Sequence, residues 1–95
     1  MNPSLTPEAL VVYKARTLRL LDNYCGVEAR ETQIVTDFQV NFNPASAPDH
    51  VRQALAALKD DGLATRRIDD LRGPVFRITP AGRKAAAALI LDEGM

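Results

Sequence analysis

The chain has 95 residues, 46% apolar and 25% charged, with twelve basic and twelve acidic side chains that leave no net charge. Such a composition fits one small globular domain, expected to span 1–95 with flexible ends at 1–5 and 92–95, and excludes a disordered or low-complexity chain. One cysteine, Cys25, excludes an internal disulfide; with no signal-like leader and no apolar run of membrane length, the expected compartment is the cytoplasm.

The first helix is expected over about Pro7 to Cys25. Thr6 suits its cap, Pro7 its first position, and Leu10, Tyr13, Thr17, Leu20, Leu21 and Tyr24 recur at helical spacing. Gly26 should end it in a left-handed conformation, which would place Val27 against Leu21 and leave Cys25 as a small buried apolar group. A second helix is expected over Glu28 to Asn41, where Ile34, Phe38 and Phe42 sit four apart. Prolines at 44 and 48 break the chain in a turn from Asn41 to Pro48. A third helix follows over about Ala47 to Asp61, with Val51, Leu55 and Leu58 as its buried stripe. Ser46 and Asp49 have the spacing of a capping box at its start, and Gly62-Leu63 closes its end.

The period then changes from helical to alternating. Leu63 to Ile68, a turn through Asp69 to Pro74, and Val75 to Thr79 make a β-hairpin. Thr79 and Pro80 open a last, alanine-rich helix that runs to Leu91. The chain is therefore mainly α with a small β-hairpin. The order helix, helix, turn, helix, hairpin, helix is that of a winged helix-turn-helix domain.

One stretch makes the likeness specific. Val51-Arg52-Gln53-Ala54-Leu55-Ala56-Ala57-Leu58 ends in Gly62-Leu63, and the hairpin closes in Ile78-Thr79-Pro80-Ala81-Gly82. This resembles bacterial winged-helix regulators of the arsenic-repressor and multiple-antibiotic-resistance type, in which a Val-x-x-x-Leu-x-x-Leu helix ends in Gly-Leu and the wing in Leu-Thr-x-x-Gly. It is also similar to short winged-helix proteins of temperate bacteriophages. The resemblance spans about Val51 to Arg83 and implies a double-stranded DNA surface. It implies no sensor, because the paired cysteines or histidine clusters of metal-sensing members are missing.

Charge is distributed to match. Residues 47–84 hold eight basic side chains against five acidic ones, whereas residues 1–46 hold four against five. A helix fits the major groove, so His50, Arg52, Gln53 and Lys59, off the Val51 stripe, are the candidate DNA contacts of the third helix (about 47–61). On the hairpin the candidates are Arg66, Arg67 and Arg72, with the tip (about 69–74) on the backbone or minor groove. Asp69 and Asp70 lie in the same turn, so the rival fate of these arginines is charge pairing within the hairpin. Arg77 competes less well, because its place is within the sheet.

No catalytic set is visible. His50 is the only histidine, no Cys-x-x-Cys or phosphate-cradling glycine loop occurs, and no cofactor or metal is expected. The reading is a small transcriptional regulator acting as a homodimer, joined through the first helix (Tyr13, Tyr24) and the last (Leu89, Ile90, Leu91). The alternative is a winged-helix module that binds another protein, which zero net charge suits.

Overall fold

The computed structural model describes residues 5–93, and of residues 90–93 the backbone alone. Helix α1 (Pro7–Asn23) leads through a short strand β1 (Ala29–Arg30) into α2 (Glu31–Asn41). Helix α3 (Pro48–Asp60), strands β2 (Ala64–Asp69) and β3 (Gly73–Ile78), and helix α4 (Pro80–Glu93) complete the chain. The strands form one antiparallel sheet in the order β1-β3-β2, with Ala29 opposite Phe76 and Ala64 opposite Ile78. This is a winged helix, with the β2–β3 hairpin as the wing.

Local chemistry explains most boundaries. Thr6 Oγ1 accepts the Ala9 N–H at 3.2 Å, and Pro7 follows it at the start of α1. At the other end Cys25 (φ 56°) and Gly26 (φ 81°) are both left-handed. The reversal thus comes one residue earlier than the glycine suggests. Cys25 is thereby exposed rather than buried, and Val27 is 67% exposed rather than packed on Leu21. The expected second helix loses its first turn to β1, which pairs through Ala29 and Arg30 with β3.

Helix α3 starts without the capping box. Its cap is Ala47, with no side-chain hydrogen bond, while Ser46 is buried and accepts the Tyr13 hydroxyl at 3.2 Å. Burial beside Tyr13 takes Ser46 away from the helix end, and Asp49 bonds to Arg52 instead. The closing motif is as expected. Gly62 (φ 77°) lets its N–H reach Lys59 O at 3.0 Å and that of Leu63 reach Leu58 O at 2.9 Å.

The core is shared by the four helices and the sheet, α4 contributing buried Ala86. Val51, Leu55 and Leu58 of α3 meet Leu21 of α1, Ile34 and Phe38 of α2, and Phe76 and Ile78 of β3, all buried. Each such side chain contributes about 1.5–3 kcal/mol by leaving water. Thr17 Oγ1 lies in this interior with no hydrogen-bond partner among the described residues. Helix α4 is anchored by Thr79, whose Oγ1 accepts the Gly82 N–H and donates to Gly62 O. Gly82 itself presses on the chain leaving α3: a Cβ there would lie 2.1 Å from Leu63 O and 2.7 Å from Ile78 Cγ1. Of the expected flexible ends, Leu5 is hydrogen-bonded and residues 92–93 are helical; the rest lie outside the described residues.

Candidate nucleic-acid interface

Pairing register sorts the wing's side chains onto two faces. Arg66 stands opposite Phe76 on the core side of the sheet, but on the edge strand β2, and is exposed. Arg67 stands opposite Val75 on the outer side, the side to which Glu28 also belongs because Ala29, its neighbour, faces Phe76. The two meet there. Arg67 donates from Nε to Glu28 Oε2 at 2.8 Å and from Nη2 to Oε1 at 2.6 Å, a bidentate fork.

Arg72 joins the same network rather than standing clear at the tip. Its Nη2 lies 3.2 Å from both Glu28 Oε1 and Asp69 Oδ2, and it is half-buried. Asp69 Oδ1 also accepts the backbone N–H groups of Leu71 and Arg72, which makes the hairpin turn an Asx turn. The two arginines leave their mark on the acids. The Arg67 hydrogen bond, helped by Arg72, holds the Glu28 carboxyl at about 2, and the Leu71 and Arg72 N–H groups hold Asp69 below the usual carboxylate range.

On α3, Arg52 is pinned by two acids. Its Nε donates to Glu31 Oε1 at 2.5 Å and its Nη1 to Asp49 Oδ1 at 2.9 Å, and the first of these bonds chiefly raises its pKa. Gln53 is half-buried, and its Oε1 accepts the Leu5 N–H at 3.0 Å, so the start of the chain lies against the middle of α3. His50 packs edge-on to Tyr13, which in turn stacks on Phe38. Tyr13 is thus partly buried, packed against the core. Lys59 is exposed in the last turn of α3, about 10 Å along the axis from Arg52.

The seven expected residues thus divide. Arg67 and Arg72 come together through Glu28, Arg52 sits in its own acidic clamp, Gln53 and His50 are partly occupied by the fold, and Lys59 stands apart. Arg66 has no ion pair among the described residues, and neither does Arg77, which is exposed on the outer sheet face rather than enclosed. Sequence reasoning missed Glu28 and Glu31, the acids that organise both arginine groups. Beside them lies an open cleft of about 390 Å³ lined by Tyr24, Glu28, Arg30, Gln33 and Arg72. The Tyr24 hydroxyl at its edge donates to Asp37, and burial with that bond pushes the phenol's pKa up.

No cluster of three or more His, Cys, Asp or Glu able to hold a metal occurs among the described residues, and no helix among them is long and apolar enough to cross a membrane. No family model and no curated protein matches the sequence. Among solved structures, the chain is similar to a MarR-family transcriptional regulator from Silicibacter pomeroyi: TM-score 0.66 at 26% identity over 86% of this chain. The chain has a winged-helix fold similar to that of a MarR-family regulator. It spans about half, 52%, of that regulator's length. In this MarR-like frame α2, the 42–47 turn and α3 form the helix-turn-helix, with the wing beside it.

Proposed function

We propose that the chain is a DNA-binding transcriptional regulator that lays α3 in the major groove of a specific duplex site, with the wing on the flanking backbone. The observation that carries this reading is the likeness of fold to a solved transcriptional regulator over most of the chain. The pattern of charge pairing supports a division of roles within it. Arg52, one residue past buried Val51, faces outward and reads a base. Arg66 contacts phosphate, whereas Arg67 and Arg72 shape the wing through Glu28 and Asp69. Gln53, His50 and Lys59 border the groove-facing surface. Two copies would double the contact, and a groove between α1 and α4, bordered by Val11, Ala15, Leu18, Ala88 and Leu89, is the surface for a homodimer in the cytoplasm. The side chains of Ile90 and Leu91, also expected there, lie outside the described residues.

One observation favours a second reading, a protein-binding module. Arg52, Arg67 and Arg72 are already paired with acids, and the chain has no net charge. Selection of sites from random duplex DNA at two salt concentrations separates the two. The DNA reading expects enriched sites, a loss of about 1–3 kcal/mol on them for Arg52→Ala, and a shallower salt slope by about one unit for Arg66→Ala. Failure to retain any duplex at low salt leaves the protein-binding module.

A further inference from the structure

The clamp around Arg52 has a chemistry that the DNA reading alone does not use. A guanidinium carries five N–H donors in a rigid plane. Here one, on Nε, is taken by Glu31 and one, on Nη1, by Asp49. Three remain, including both on Nη2, and guanine needs two for O6 and N7. The acids come from different elements: Glu31 is the first residue of α2, and Asp49 lies in the first turn of α3. The guanidinium is therefore fixed relative to both helices of the pair. Glu31 is the firmer anchor, its side chain 17% exposed against 53% for Asp49.

Charge decides what such a group can contact. Among the described side chains, two carboxylates around one guanidinium leave a net negative charge, which repels phosphate. The cluster is thus unsuited to gripping the backbone and suited to presenting directed donors to a base edge. Pinning also removes in advance the rotamer freedom that a free arginine loses on binding.

Resting on the DNA-binding reading above, we infer that Glu31 and Asp49 are positioning residues that hold Arg52 in its base-reading pose and so set preference for a guanine in the site. The neutral variants Glu31→Gln and Asp49→Asn keep size and remove charge. Both act at exposed or partly exposed positions, so thermal melts should show each folded; Asp49→Asn carries the test if Glu31→Gln does not fold.

The test compares wild type, the two variants, Arg52→Ala and the double variant Arg52→Ala/Glu31→Gln by site selection and by titration with random-sequence duplex. Wild type should enrich a guanine at one position of each half-site, and Arg52→Ala should abolish that enrichment. Glu31→Gln and Asp49→Asn should each lower it about 3- to 10-fold. Both should nonetheless bind random duplex as tightly as wild type or more so, because a carboxylate has left the phosphates' surroundings. In the Arg52→Ala background Glu31→Gln should change base preference no further. Guanine preference that is unchanged, or that rises together with affinity, overturns the proposal while leaving DNA binding intact; the rise would mean that the acids merely quench Arg52. Wild type that retains no duplex overturns the DNA reading, and this proposal with it.

Discussion

Glu28 ties two arginines of the wing, Arg67 and Arg72, to the chain just before α2. Its carboxyl is held at about 2 by the Arg67 hydrogen bond, against 4.5 for an ordinary glutamate. A folded-state pKa lowered in this way stabilises the fold above the ordinary value, and the gain is lost as pH falls toward the lowered one. Thermal stability should therefore drop between about pH 4.5 and pH 2. Glu28→Gln should flatten part of that drop in melts across the window; an unaltered profile would mean that the pair is too well solvated to matter. Thr17 predicts the opposite kind of effect. Its buried hydroxyl lacks a partner among the described residues, so Thr17→Val should raise stability by about 1 kcal/mol in denaturant unfolding. At this scale Arg52 was legible as an outward cation from its place beside Val51. Its partner Glu31 was not, because an ion pair between residues 21 apart on different elements leaves no periodic trace.

Elements were legible where their ends are written in local chemistry. The Thr6-Pro7 start of α1, the Gly62-Leu63 close of α3 and the Thr79-Pro80 start of α4 are all as their residues dictate. Strand β1 was not, because two residues are too few to show alternation, and only β3 defines them as a strand. Ser46 shows a different failure: its spacing from Asp49 is right for a capping box, but burial against Tyr13 wins. Gly82 was legible only as part of a family pattern, and the structure supplies its reason. A Cβ would collide with backbone that cannot swing aside, so Gly82→Ala should destabilise by about 1–3 kcal/mol or more, read from thermal melts. A variant as stable as wild type would show that α4 can shift away from Leu63 freely.

At the scale of the molecule, the order of elements was enough for the fold, since four helices and a hairpin with these apolar stripes have few ways to close one core. The surface was less legible. Counting arginines gave a basic middle region, but acids from other elements neutralise several of them. The sheet's strand order has one more consequence, which concerns self-recognition. Among the described residues β2 pairs only with β3, so its outer border offers a row of unsatisfied peptide groups to any passing strand. A second β2 aligning there would bring Arg66 and Arg67 up against their own copies, and like charges set face to face resist such pairing. Replacing both (Arg66→Thr with Arg67→Thr) should let molecules zip together edge to edge, seen as concentration-dependent light scattering that wild type lacks; scattering no greater than wild type's would count against this. Arg66 and Arg67, exposed side by side on β2, would then also act as gatekeepers against amyloid-like growth.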